Sequence, residues 1–488
     1  MKRQIISLKS VSLLLLGVGL LSSGCKKHDF GSTDTNPYIT STPVTQNLLT
    51  GALRSLPTVT NDATGALYAQ HISDVQYTDG GRYLTINFAY GGFYTGALLS
   101  LTKIIQYNTD PATAAAAAAK GSNANQIAIA RILKAFFFFH ITNRWGDIPY
   151  SEALKQGENF SPKFDKQADI YTDLFKELKE AAAQFDGGKV VTGDIFLSGD
   201  VARYKEFANS LRLIMALRLS KADAAKGKAE FLDAKGAGVV MTNAKTFKYN
   251  HLNETANQSA WYARYLTRFD FAISKPLLDF MKVLNDPRIP AFADKPTDGN
   301  ANYVGMPYGL AVTSGIPNTS VSYVGANLRK QNAPEFILSS AHVLFTLAEG
   351  EKRGWNAGNA PNEAQAAIYY NEGIKVSMEQ YGVYTVGAHA TYIAQPDVAY
   401  TAADAIKKIS EQRWIGLYLN GYEAWAEWRR TGFPTLSPGP APLSLGGQIP
   451  RRQAYALQER DLNGVNYKAV VASQGPDEVN TKIWIDKP

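Results

Sequence analysis

Glu423 and Glu427 stand four residues apart in a stretch of helical periodicity, so their carboxylates share one helix face. Two acids in one cleft can hydrolyse a glycosidic bond, one protonating the leaving oxygen and the other acting as nucleophile or base. Arg430 lies three residues beyond Glu427, however, and Arg413 and Arg429 are close in sequence. With that many guanidinium groups at hand, the pair reads as helix charge balance or a buried ion pair, with hydrolysis as the alternative. Other chemistry is sparse. The histidines, at positions 28, 71, 140, 251, 342 and 389, include no pair four apart, so the zinc-helix motif is missing. One cysteine, Cys25, cannot build a thiolate metal site. There is no phosphate loop, no Gly-x-Ser-x-Gly elbow and no helix–loop–helix calcium loop. His140 and His342 fall on apolar stretches and read as core groups, and Asp147 reads as a turn or capping residue. No catalytic residue, metal or cofactor is expected.

Aromatic residues are the more informative chemistry. The chain has 26 tyrosines, 22 phenylalanines and seven tryptophans, and many of the tyrosines lie in Gly/Asn/Thr-rich segments rather than on apolar stripes. Tyrosine suits contacts that are apolar at one end and wet at the other, so this distribution predicts an aromatic-lined binding surface. The segments are 79–95, 239–267 and 286–329, and irregular stretches this long tend to be functional. On composition alone, the candidate ligand-binding residues are Tyr77, Tyr83, Tyr90, Trp261, Tyr303 and Tyr308, with Asp79 and Asn253 as polar partners. Ring faces would stack on sugar or peptide groups, and the polar groups would orient them.

The elements that must position these residues are helices. Residues 127–142 are apolar almost all round, as in a helix buried on several sides, and Asn143, Gly146 and Pro149 end the run. Residues 165–185, with Asp165 as cap, and 204–220 carry apolar stripes at helical spacing. Residues 335–351 and 362–381 read as a helix pair joined across 354–358, and 402–430 as one long helix. Paired helices with small residues and tyrosines at the crossings resemble tetratricopeptide units, although no strict 34-residue period recurs. The fold class expected is mainly α, with a tetratricopeptide-like scaffold, long irregular loops and little β. The alanine run at 114–119 carries no chemistry.

The N-terminus adds an address. Lys2, Arg3 and Lys9 precede an apolar run over 11–21, and Ser22, Ser23 and Gly24 lead into Cys25, as in a secretory signal peptide. The run is too short to span a bilayer as a helix, which takes about 20 residues. The segment resembles a lipoprotein box, with Ser22 where a leucine is usual; in such a box the cysteine becomes the acylated first residue of the mature chain. The expected order is a signal peptide at 1–24, a lipidated Cys25 with a polar tether at 25–42, and a single domain at 43–488 with a loop-rich part at about 239–330. Several acyl chains on Cys25 would hold the protein on a membrane. The formal net charge of +7 includes the three leader cations, leaving about +4, and no basic helix or arginine-rich block points to nucleic acid.

Several strings carry a family resemblance. They are Arg131-Ile132-Leu133-Lys134-Ala135 running into Trp145-Gly146-Asp147-Ile148-Pro149-Tyr150, then Lys205-Glu206-Phe207-Ala208-Asn209-Ser210-Leu211-Arg212-Leu213 and Ala216-Leu217-Arg218-Leu219-Ser220. Later come Glu411-Gln412-Arg413-Trp414-Ile415-Gly416-Leu417-Tyr418, Glu423-Ala424-Trp425-Ala426-Glu427-Trp428-Arg429-Arg430-Thr431-Gly432 and Ile449-Pro450-Arg451-Arg452. Together they resemble the SusD/RagB family of nutrient-binding lipoproteins, specifically its second SusD-like branch. The resemblance implies a surface lipoprotein, not an enzyme, that binds an oligosaccharide or oligopeptide on loops carried by a helical scaffold. It also implies an outer-membrane location facing outward, and a partner, a SusC-like TonB-dependent β-barrel transporter to which the nutrient is delivered. In that setting the quoted strings are structural. Two other functions are weighed against this one: a helical-repeat adaptor in an envelope complex, and a surface glycosidase using Glu427.

Overall fold

Helices that are apolar on more than one side have to be packed on more than one side, and together with helices that bury a single stripe they form the frame. In the computed structural model, which describes residues 44–85 and 88–487, these are α1 (Ala63–Tyr68), α2 (Leu99–Thr109), α3 (Asn123–Trp145), α4 (Gln167–Gln184), α5 (Val201–Arg218), α6 (Ala224–Ala237), α7 (Ser340–Lys352), α8 (Glu363–Gln380), α9 (Ala405–Gly416) and α10 (Gly421–Thr431). The leader, Cys25 and the tether lie outside the described residues.

Helix α3 packs against both α2 and α4, which is why it has no polar face. Phe136, Phe137, Phe138 and Phe139 are all buried in it. Each such side chain contributes roughly 1.5–3 kcal/mol by leaving water. Among the described residues α3 alone is long and apolar enough to cross a membrane, but most of it is buried inside the protein, as befits a core helix. The pairs α3/α4, α5/α6 and α7/α8 are antiparallel neighbours in the tetratricopeptide manner, and α9 and α10 close against α7 and α1. Caps set the starts: the side chains of Asp200, Asp223, Ser339 and Asn362 accept from the amides of Arg203, Lys226, His342 and Gln365.

Strands are few and short. They are β1 (Ile72–Asp74), β2 (Ile148–Pro149), β3 (Phe164–Asp165), β4 (Phe247–Tyr249), β5 (Phe271–Ile273) and β6 (Glu335–Leu338), in antiparallel pairs β1–β5, β2–β3 and β4–β6. Segment 239–330 therefore joins the rest through β4 and β5, and residues 45–488 form one unit.

Three sequence expectations need correction. Residues 335–338 are strand β6, not the first turn of α7; Ser339 caps the helix instead, and β4 claims the strand's backbone groups. The expected helix over 402–430 is two helices broken at 417–420, where Leu419 takes φ +67°. The break lets α10 start against α1: a Cβ on Gly421 would meet the Ala66 amide nitrogen at 1.9 Å, so only glycine permits this approach. Asp165 does not cap α4. Its carboxylate accepts from the amides of Tyr150 and Ser151, while Asp147 Oδ1 accepts the Gln167 amide at 2.8 Å.

Candidate ligand-binding surface

The carboxylate pair that could have been catalytic is fully committed. Glu427, buried, receives Arg413 Nη1 at 2.5 Å, Arg430 Nη2 at 2.6 Å and Arg218 Nη2 at 3.1 Å. Glu423 takes Arg218 at 2.7 Å. Glu349 from α7 completes the hub, paired with Arg413, Arg430 and Arg353 at 2.9, 2.6 and 2.8 Å. Burial by itself would raise the Glu427 pKa, but Arg430, Arg218 and Arg413 outweigh it and hold the carboxyl well below the usual range. A carboxylate held this firmly ionised is a poor general acid. The nearby histidines are buried bases: burial drives His140 down to about 3 and His342 to about 4. His71 Nε2 lies 3.0 Å from the Trp414 carbonyl. Among the described residues no cluster of three or more His, Cys, Asp or Glu side chains is arranged to hold a metal ion.

Exposed aromatic chemistry gathers elsewhere, over the β1–β5 pair. Val75 continues the pairing by donating to the Asp270 carbonyl at 2.8 Å, and Tyr323 and Met306 bridge to Ala272 and Ser274 beside it. Val75, Ala272, Met306 and Val321 form a small apolar nucleus of their own, with Ile316 and Tyr323 packed against it. Three chain segments are thereby held side by side: 75–84, 265–273 and 303–324. Tyr77 stands at the surface, 70% exposed, at φ +53°. The Arg268 guanidinium lies 5.1 Å from its ring centroid, and Arg268 Nη1 donates to Tyr77 Oη at 3.3 Å. Arg268 is held from behind by Asp270 at 2.9 Å. Next in sequence, Phe269 is 43% exposed and packs on Tyr323 with centroids 4.9 Å apart. Val312 is 70% exposed on the third segment, which is tied to the first by Thr313 Oγ1 donating to the Val75 carbonyl at 2.7 Å.

The sequence candidates divide on this geometry. Tyr77 is on the surface just described, and Asp79 lies beside it, its exposed carboxylate 3.6 Å from Arg82. Tyr303 is half-buried, with Lys295 Nζ 6.0 Å from its ring. Asn253 is exposed on the 250–257 turn. The other four are corrections, because their ring faces are covered by neighbours. Tyr83 is buried edge-on to Tyr68 and beside Tyr308, with its hydroxyl accepting from Gln70 Nε2 at 2.9 Å; burial pushes its pKa up to about 12. Tyr308 donates to the Leu67 carbonyl at 2.6 Å. Tyr90 packs edge-on to Trp145, and Trp261 is buried under Arg264. Tyr83 and Tyr308 pin the loops that carry Tyr77 and Val312, so they position the surface without forming it. Sequence reasoning missed Arg268, Phe269, Val312 and Tyr323 as members. The available signal was the run Arg268-Phe269-Asp270-Phe271, in which charged and aromatic residues alternate on the way into β5.

A buried carboxylate organises the Tyr77 loop from beneath. Asp74 Oδ2 accepts the Gly81 amide at 2.7 Å. Burial, reinforced by Asp79 and Asp270 and opposed by the Gly81 hydrogen bond, pushes Asp74 up to about 7.

Comparison with known proteins places this architecture. Residues 33–456 match the SusD-like family described as starch-binding and associating with the outer membrane. The chain belongs to the SusD-like family. Its structural relatives include a chitin-binding protein at 26% identity and TM-score 0.79, with 91% of this chain and 100% of the other aligned. A chitin-binding SusD homologue from Flavobacterium johnsoniae aligns at 24% identity and TM-score 0.75, over 91% and 98%. A SusD homologue from Bacteroides uniformis aligns at 22% and 0.78, over 92% and 100%. A search of curated proteins finds no match.

Within this SusD-like chain the family strings are structural. Trp145 Nε1 donates to the Ala454 carbonyl, Gly146 at φ +83° lies against Gln474, and Tyr150 donates to Asp173. Arg429 binds Asp486 and the Asn143 and Arg451 carbonyls, and Arg430 enters the hub. None of these side chains reaches the aromatic surface.

Proposed function

We propose that this chain is a surface lipoprotein, anchored through Cys25, that binds an oligosaccharide or oligopeptide and passes it to a SusC-like TonB-dependent β-barrel. The observation that carries the proposal is the open Tyr77–Arg268–Phe269 surface on a member of a nutrient-binding family. An aromatic face offers a sugar ring or a peptide plane a dry contact, and Arg268 and Asp79 offer hydrogen bonds at its border. A few stacked rings on an otherwise wet surface give modest affinity, which suits a protein that must release what it captures. Chitin binding by two structural relatives supports a glycan as the ligand. The hub acids are spent on their arginine partners, which supports binding without turnover.

Isothermal titration of the mature chain with chito- and malto-oligosaccharides and with short peptides tests the ligand. Saturable binding of one class without product formation is expected, and failure of every class would overturn the reading. Affinity capture from outer membranes tests the partner: a large β-barrel should co-purify, and its absence would remove the transport step.

A further inference from the structure

A second cavity, of about 570 Å³, opens among α2, α3, α4 and the 150–158 loop, and it shares no residue with the aromatic surface. Its volume is in the range of small-molecule sites. Its charges are unevenly satisfied. Glu177 is neutralised by Arg131, which donates Nε at 2.9 Å and Nη2 at 2.8 Å, and Asp173 accepts the Tyr150 hydroxyl at 2.6 Å. Lys103, Lys134 and Lys155 line the same cavity with no ion-pair or hydrogen-bond partner for their ammonium groups among the described residues. Glu158 is the one lining acid left equally free. Lys134 springs from the core helix α3 and is half-buried, so its ammonium is costly to leave uncompensated. Burial lowers its pKa despite the opposing pull of Glu177 and Asp173. The Thr102 hydroxyl, also on the wall, is buried without a partner.

We infer that this cavity binds a small polyhydroxy acid, a uronate in chemical class, with its carboxylate on Lys134 and its hydroxyls on Thr102, Asp173 and Glu158. The surplus of free ammonium groups calls for an anion, and charge-assisted hydrogen bonds are about twice as strong as neutral ones. The free acceptors beside them call for hydroxyl donors, which a bare inorganic anion lacks. Phe138, Tyr150 and Leu154 supply an apolar wall for the ring. The inference is independent of the transport reading, because a ligand here touches none of the residues that carry it.

The test is titration of the mature chain with D-galacturonate, galactose and inorganic sulfate at low ionic strength. Galacturonate should bind at least about tenfold more tightly than galactose or sulfate. Lys134→Met should weaken galacturonate by about tenfold or more, and Lys134→Arg should restore it to within about threefold of the wild type. Equal binding of galactose or sulfate by the wild type, no galacturonate saturation, or full affinity in a folded Lys134→Met would each overturn the assignment. The wild-type comparison decides the question even if Lys134→Met fails to fold.

Discussion

Guanidinium groups serve two opposite purposes in this molecule. In the hub, Arg218, Arg413 and Arg430 are withdrawn from water and answered by Glu349, Glu423 and Glu427 at hydrogen-bond distance. At the surface, Arg268 has one carboxylate behind it and an open tyrosine ring before it. The hub sits where α5, α7, α9 and α10 converge and fixes their relative positions. The surface rests on a two-stranded ribbon and a four-residue apolar nucleus. The difference teaches that the arginines and glutamates of the hub hold the frame together, while the proposed aromatic surface sits on segments that frame merely carries. A fully desolvated ion network tolerates little change, whereas a wet aromatic face can be altered cheaply.

That contrast can be broken experimentally. Glu427→Gln leaves three buried guanidinium groups short of a counter-charge, so it should cost about 3–5 kcal/mol of stability in denaturant unfolding. A loss below about 1 kcal/mol would show that the hub is not the keystone. A hydrolytic activity abolished by the same change would revive the glycosidase alternative. Tyr77→Ala should do the reverse: a roughly tenfold loss of ligand affinity with stability unchanged within about 0.5 kcal/mol. Tyr308→Phe sharpens the boundary between the regions, because its hydroxyl ties the surface loops to the Leu67 carbonyl. About 1 kcal/mol of stability should go.

A separate test is the pH response of Asp74. Its pKa is raised to about 7 in the fold, above the unfolded value of 3.8, so the folded chain holds the extra proton. Its contribution is fully present below about pH 4 and is lost as pH rises through about 7. Asp74→Asn should flatten that part of the stability–pH curve between about pH 4 and 8, measured by thermal unfolding at a series of pH values. An unchanged slope would mean that Asp74 is ionised in the fold throughout that range.

Much of the frame was legible. Helix α3 announces itself because an all-round apolar stretch of that length has few other solutions, and α4, α5 and α8 follow from stripes at 3.6-residue spacing. Asp147 reads as a cap, although which helix it caps was not readable: Asp165 is nearer α4 in sequence, but the β2–β3 pairing turns its carboxylate towards Tyr150. Of the candidate site, the chemistry was legible and the membership was not. Tyr77 and Tyr83 sit six residues apart in similar surroundings, yet one ring is in water and the other under Tyr308. Loops lack the periodicity that tells inside from outside, so composition cannot separate them.

By itself, then, the order of residues determined a mainly helical chain with helix pairs, a lone cysteine after an apolar run, and aromatic-rich loops, because each of these is set by local spacing and composition. Tertiary structure alone decided that Glu335–Leu338 becomes a strand, that the 402–430 stretch breaks where Gly421 meets Ala66, and that Arg268 meets Tyr77 across 191 residues of chain. Those outcomes depend on which surfaces come together, and no local rule contains the partner.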